Sequence, residues 1–365
     1  MRTPNPYNYN LPVAPKMFFG RQGDVKTFTH HLTATQGDSF ALIGGRRMGK
    51  TSLLESLLRV LEPMVEEPAR GLLPLPIFQD LTGEGVDSVI TFFRIIGEEA
   101  HYKLADLLAL PSGVPFTLGY EQPPAPTFRR VLEKWGRTAM EKRGCRLRLI
   151  LLLDECEQIV EQSWTSELYG ALRYLLVRQS TRSLLKVVMT GSHRFLSQVR
   201  QRGSPLRNVL KYHRLRVLDE KATRDLISQP TGDVLPEEVV EAIIEQSGGH
   251  TFLTQYLMHH LWERGLEKAT PETVRMITVE FPHERNDFQD WLNGLGNVGS
   301  EVYAVLNQAR KPLGEHQIRA AMGAASPGIL QALDALCYHG LITQEAGGGP
   351  IELRVGCSRR GLSQT

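Results

Sequence analysis

Cysteine is scarce in this chain of 365 residues: Cys145, Cys156, Cys337 and Cys357 are the whole supply. No two of them stand as C-x-x-C, and their spacings fit no zinc pattern. That argues against a disulfide framework or a structural zinc and for reduced thiols. Long apolar runs are also missing. None approaches the roughly 18 residues that a membrane-spanning helix needs. The opening stretch, MRTPNPYNYNLPVAPK, has no apolar core of the signal-peptide kind. The expectation is a soluble, cytoplasmic protein with no membrane contact. Charge of one sign is not in excess either. The net charge is +2, so bulk electrostatics points neither toward nucleic acid nor away from it, and local charge must decide. No internal repeat is visible. The length exceeds what one small core accommodates, so two or three domains are expected.

What is present alternates. Residues 1 to 17 hold four prolines and three asparagines, which excludes a helix or a central strand and predicts an extended arm. Strands are predicted at 39–44 (SFALIG), 75–81 (LPIFQDL), 148–155 (RLILLLDE) and 183–192 (SLLKVVMTGS). Helices are predicted between them, at 49–60, 86–109 and about 127–143, with a proline-rich loop at 111–127. Continuous apolar runs such as LILLL mark strands buried on both faces, as in a parallel sheet. Strands alternating with helices predict an α/β fold. After about residue 217 the pattern turns helical: 219–229, 236–247, 251–265 and 271–280. Residues 282–297 are polar and read as a linker. The remainder reads as three helices and two short strands around a glycine turn, the outline of a winged helix. Three parts are therefore expected: a P-loop core with its N-terminal arm (1–217), a helical lid and linker (218–296), and a winged-helix domain (297–365).

Gly44-x-x-x-x-Gly49-Lys50-Thr51 satisfies the phosphate-loop pattern, with a buried strand before it and an amphipathic helix after it. The chemistry requires these residue types. Glycine permits torsions that turn backbone amides inward onto phosphate oxygens, and the helix N-terminus adds partial positive charge. Lys50 is expected to reach the β and γ phosphates of ATP and Thr51 to ligate magnesium. The stretch expected to hold the nucleotide runs Gly44, Gly45, Arg46, Arg47, Met48, Gly49, Lys50, Thr51 and Ser52. Arg46 and Arg47 are unusual inside such a loop. Their side chains can point away from the phosphates, toward a lid or a neighbouring subunit.

A phosphate loop predicts a second strand ending in an aspartate, and LILLLDE supplies it. Asp154 is the expected magnesium residue and Glu155 the expected base for the attacking water. In the strand KVVMTGSHR, Thr190, Ser192 or Arg194 could sense the γ-phosphate, provided that this strand lies between the other two. From Arg173 to Arg216 there are eleven Lys or Arg and no Asp or Glu. Arg194, Arg200, Arg202 and Arg207 are candidates for arginine fingers, with Arg194 the one placed in the catalytic set. A groove for nucleic-acid backbone is the other reading.

These pieces together resemble the STAND branch of P-loop ATPases, close to AAA+ proteins and archaeal-type ATPases. The likeness covers about residues 5 to 265. It rests on the arm NPYNYNLPVAPKMFFGRQGDV, the loop GGRRMGKTSLL, the acid strand LLLDECEQI, the sensor strand VVMTGS, and a lid-like stretch ending SGGHTFLTQYL. The resemblance implies that Phe19, Gly20 and Arg21 lie against the adenine side of the nucleotide. It also implies that Gly248, Gly249 and His250 form the lid turn. Thr251 stands where such proteins usually carry a nucleotide-contacting proline. The implied function is a slowly hydrolysing switch: ATP holds an open or assembled form, ADP a closed one. Self-association or an effector protein in trans carries the output, with bacterial defence or signalling as one setting. The alternative is a DNA-binding ATPase of the initiator or transposition-regulator kind. Against it, the winged segment's expected recognition helix, SPGILQALDALCYHGLI, has no Lys or Arg and carries Asp334. A protein-contact or autoinhibitory role suits it better.

Overall fold

The computed structural model describes residues 4–68, 71–83, 85–110, 123–284, 287–309, 311–323, 328–344 and 351–353. Most of the expected proline-rich loop, the centre of the wing and Cys357 lie outside the described residues. Packing divides the chain into two compact units. Gln22–Ile43 and Lys50–Arg214 form a sheet unit; Met1–Arg21, Gly44–Gly49 and Leu215–Thr365 form a helical unit.

The sheet unit runs α1 (Gln22–Thr33), β1 (Ser39–Ile43), α2 (Lys50–Leu61), α3 (Pro63–Glu66), β2 (Leu72–Asp80), α4 (Val89–Leu108), α5 (Pro124–Arg143), β3 (Arg146–Asp154), α6 (Thr165–Val177), β4 (Leu185–Gly191), α7 (His193–Arg200) and β5 (Leu210–Arg214). Its five strands are parallel, in the order β2-β3-β4-β1-β5. The strand KVVMTGS thus lies between the phosphate-loop strand and the acid strand, as the sequence reading required. The apolar runs explain the centre of the sheet. All five residues of β1 are buried, and in β3 Leu149, Ile150, Leu151, Leu152 and Leu153 are fully so. Each such side chain contributes about 2 kcal/mol of burial. Helix α4 starts where the Ser88 hydroxyl accepts the Thr91 N–H at 3.2 Å, a side-chain cap for an otherwise unpaired amide. Its buried face, Phe92, Phe93, Ile96 and Ala100, meets α5 through a Phe93–Phe128 ring contact at 4.9 Å. Helix α5 begins at Pro124, earlier than the sequence suggested. Proline lacks only an N–H that the first turn leaves unbonded anyway. Near the start of β3, Arg148 is 2% exposed, with carbonyls of Leu32 and Ser183 each at 3.0 Å. That guanidinium pins the chain between α1 and β1.

Strand β5 is not among the strands predicted from the sequence, although it falls within the expected core of residues 1–217. It pairs only with β1, as an edge strand. Of its five residues only Leu210 is buried, while Lys211, Tyr212 and Arg214 are exposed, so it has no apolar run to announce it.

In the helical unit follow α8 (Glu220–Ser228), α9 (Glu237–Ser247), α10 (Thr251–Arg264), α11 (Pro271–Glu284), α12 (Asp287–Ala309), α13 (Glu315–Ala321), α14 (Ile329–Tyr338), β6 (Ile342–Gln344) and β7 (Ile351–Leu353). Asp219 caps α8, accepting the Ala222 N–H at 2.8 Å. The stretch read as a polar linker is largely helical, with a break at Gly296, whose φ is +68°. One apolar core includes Ile243, Leu253, Leu257, Phe281, Val302 and Leu336. Strands β6 and β7 form an antiparallel ribbon, with Ile342 opposite Leu353. The arm packs into this unit. Tyr7 is 1% exposed and its hydroxyl donates to the Ile227 carbonyl at 2.7 Å. Among the described residues no helix is long and apolar enough to cross a membrane.

Candidate functional site

The sheet unit gathers one group of chemistry-bearing side chains at the C-terminal ends of its strands. Lys50 and Thr51 open α2, directly after the glycine loop in the chain. Asp154 ends β3 and is 2% exposed. The Thr51 hydroxyl donates to Asp154 Oδ2 at 2.6 Å. Thr190, on β4, donates through its hydroxyl to Asp154 Oδ1. The Glu155 N–H lies 3.0 Å from Asp154 Oδ1 and 3.2 Å from Thr190 Oγ1. These contacts account for both carboxylate oxygens of Asp154 and hold it in a single orientation.

Glu155 adopts φ +52°, a left-handed conformation that costs a non-glycine residue about 1 kcal/mol. Burial pushes its carboxyl up to about 7; Glu157 adds to the shift, Lys50 opposes it, and Asp154 adds again. A carboxyl with that value exchanges a proton readily near neutral pH. Ser192 precedes α7, and Arg194 lies in its first turn. The Arg194 guanidinium is not part of the Asp154 cluster. It is 76% exposed and paired with Glu161 at 2.9 Å.

In the helical unit a second group forms around the glycine loop. Gly49 has φ +91° and Arg47 φ +61°. Arg46 is exposed, Arg47 half-buried and Met48 buried. Arg47 reaches away from its own loop. Its Nη1 donates to the Tyr9 carbonyl at 3.0 Å, and its guanidinium lies 4.7 Å from the centroid of the Phe252 ring on α10, within cation–π range. The Arg47 carbonyl accepts the Thr251 hydroxyl at 3.1 Å. At the position where the family resemblance leads one to expect proline, this chain therefore has a hydroxyl bonded to the phosphate loop. Tyr9 is set among Phe252, Tyr256 and His259, with ring centroids 5.0 to 5.8 Å away. Arm, loop and α10 thus converge on Arg47.

The end of α14 meets the same loop. Gly45 N–H donates to the Tyr338 carbonyl at 3.2 Å. A Cβ on Gly45 would come within 2.8 Å of His339 Cα, a distance no side chain can occupy. His250, between α9 and α10, is fully buried, and its pKa is lowered to about 3, first by burial and then by His339 and Arg21. It is neutral at physiological pH. Arg21 is 8% exposed and donates to the Arg216 carbonyl. Phe19 packs against the helical core. Gly20, at φ +70°, leaves no room for a Cβ beside Ala222 and Leu218; Gly249, at φ +75°, leaves none beside the Leu218 carbonyl. Gly248 ends α9 at φ +59°. Tyr9, Phe252, Tyr338 and His339 carried no sequence signal of their own. They belong to ordinary aromatic and helix-end patterns, and only their meeting at the loop distinguishes them.

The family profile described as Novel STAND NTPase 1 matches residues 12–280, about three quarters of the chain. No curated protein matches. Among solved structures, the Walker-type ATPase PABY2304 of Pyrococcus abyssi is 16% identical with a TM-score of 0.61, over 94% of this chain and 95% of that one. The ORC2 protein of Aeropyrum pernix, in its ADP form, is 14% identical with a TM-score of 0.51, over 95% and 92%. At such identity these two establish a shared fold. The family match goes further: with a phosphate loop running from Gly44 to Thr51 and an Asp154-ended strand beside the sensor strand, this chain belongs to the novel STAND NTPase 1 family of P-loop NTPases.

Proposed function

We propose that this protein is an ATP-dependent switch that hydrolyses slowly and reports its nucleotide through the arm and lid. The observation carrying this reading is Arg47. A phosphate-loop residue whose side chain holds the arm at Tyr9 and the lid at Phe252 makes loop conformation and lid position energetically dependent on each other. A loop built only for turnover has no need of such a tie.

The residue roles follow from chemistry. The loop amides and Lys50 take the phosphates of ATP. The Thr51 hydroxyl and Asp154 carboxylate, already 2.6 Å apart, are hard oxygen donors of the kind that suit magnesium, and they would hold it. When bound, the metal supplies positive charge that neutralises the phosphate oxygens. Glu155 takes the proton of the attacking water. Thr190 fixes the Asp154 carboxylate, and Arg21, Phe19, Gly20, Gly249 and His250 belong to the nucleotide's adenine and lid side. Arg194 would have to leave Glu161 to act as a finger. The C-terminal segment works as a winged helix that contacts protein. Its helix α14 shows solvent a 58% exposed Leu330 as well as Asp334, a surface suited to protein and not to phosphate.

Light scattering on wild type and Glu155→Gln, with ATP and magnesium or with ADP, tests the reading. The expected result is a nucleotide-dependent change of size or shape that the variant retains in ATP without relaxing. Identical particles in ATP and ADP, alongside measurable turnover, would remove the switch and leave an ordinary NTPase.

A further inference from the structure

The basic stretch remains outside the proposed switch. Some surface arginines of the sheet unit are neutralised by glutamates four residues away: Arg59 by Glu55, Arg94 by Glu98, Arg129 by Glu133. Others, such as Arg178 and Arg182, are exposed without such a partner among the described residues, and around residues 201–209 unpaired arginines gather. Arg173, Arg200, Arg202 and Arg207 are all exposed, and among the described residues none has a carboxylate partner. Three of them are also brought together. Arg173, from α6, reaches the Pro205 carbonyl at 2.9 Å. Arg200, at the end of α7, lies 5.7 Å from the centroid of the Tyr212 ring on edge strand β5. The Tyr212 hydroxyl donates to the Arg207 carbonyl at 2.9 Å. Tyr212, 39% exposed, therefore organises the patch from its centre.

We propose that residues 201–209 and β5 form a binding surface for the sugar-phosphate backbone of a nucleic acid. Three observations favour this partner over an acidic protein. Guanidinium forks match phosphate oxygens in geometry. On β5 itself Lys211 is paired with Asp38 and Asp24 lies against His213, but the four arginines have no ion-pair partner among the described residues, so each gains from a polyanion without losing an existing pair. Between Arg194 and Arg214, Tyr212 is the single large apolar side chain that is exposed, whereas a protein interface draws its affinity from several buried apolar anchors.

Fluorescence anisotropy on the full chain, without nucleotide, tests the surface. The probes are a labelled single-stranded 20-mer and the matching duplex, titrated across a salt series. Four phosphate contacts predict a slope of log affinity against log salt of about −2.8 for the single strand and about −3.6 for the duplex. Arg200→Ala with Arg207→Ala should lower that slope by about half. Tyr212→Ala, which leaves the charge unchanged, should weaken binding severalfold. Arg59→Ala with Arg94→Ala removes equal charge elsewhere and should leave the slope alone. Circular dichroism shows that each variant is folded. Three results would each overturn the proposal: no binding at 50 mM salt, an equal loss in the control double variant, or displacement by poly-glutamate as effective as by unlabelled oligonucleotide. Lys50→Ala should bind as wild type does, so a failed switch would leave this surface standing and the reverse also holds.

Discussion

The sheet unit and the helical unit position their functional residues by opposite means. In the sheet unit, the proposed chemistry rests on side chains that buried strands place. Asp154 and Thr190 stand at the ends of adjacent strands, β3 and β4, and their positions follow from apolar runs that can pack only one way. In the helical unit, backbone does much of the work. Gly20, Gly45, Gly248 and Gly249 matter for what they leave out, and one long side chain, Arg47, draws three segments together. The first device gives a rigid edge for the proposed chemistry. The second gives contacts of modest strength that a ligand can shift, because a cation–π contact and single hydrogen bonds each contribute about 1 kcal/mol.

That contrast can be broken first at the sheet edge. Glu155→Gln should lower hydrolysis by about 10²–10⁴-fold while nucleotide binding survives; loss of binding to the same degree would mean that Glu155 is a structural residue. In the strands, Leu151→Ala should destabilise the sheet unit by about 2–5 kcal/mol, read from the urea midpoint, and a change below 1 kcal/mol would contradict its full burial. In the helical unit, Gly249→Ala must both hold φ +75° and displace the Leu218 carbonyl. A loss of about 1–3 kcal/mol is expected. Arg47→Gly sharpens the comparison most. Glycine suits φ +61° better than arginine does, so the loop should keep its nucleotide affinity. The arm should nonetheless loosen, giving roughly fivefold faster proteolysis near exposed Leu11, in line with about 1 kcal/mol of lost contacts. Unchanged proteolysis would mean that Arg47 ties nothing.

Acid should separate the units as well. His250 has its folded pKa lowered from 6.5 to about 3, chiefly by burial. The unfolded chain therefore takes up the proton first as pH falls. The stability that His250 contributes is complete above pH 6.5, is lost progressively between about 6.5 and 3, and changes no further below. Each pH unit in that window removes up to about 1.4 kcal/mol. In a denaturant series over that range, His250→Gln should flatten the acid limb of the helical unit's unfolding. A limb as steep as wild type would assign the acid sensitivity to carboxylates.

How much of this was legible in the sequence depends on which forces act over short range. The phosphate loop, the acid strand and the sensor strand announce themselves, because glycine torsions and runs such as LILLL are local requirements. Strand β5 did not, since an edge strand with Lys211, Tyr212 and Arg214 facing solvent lacks the apolar run that reveals a central strand. The stretch after residue 282 looked like a linker because a polar composition carries little helical signal of its own.

Composition and motif alone thus determined that this chain is a P-loop NTPase with an α/β core, and they named Lys50, Thr51, Asp154 and Glu155 as the candidates for its chemistry. The tertiary structure decided where Arg47 points, that Thr251 bonds the loop's backbone, that the end of α14 meets Gly45, and that Arg173 of α6 and Arg200 of α7 meet Pro205 and Tyr212. The reason is range. Torsional demands and burial patterns are written within a few neighbouring residues, whereas a contact between Tyr9, Arg47 and Phe252 exists only once distant segments of the chain have been folded together.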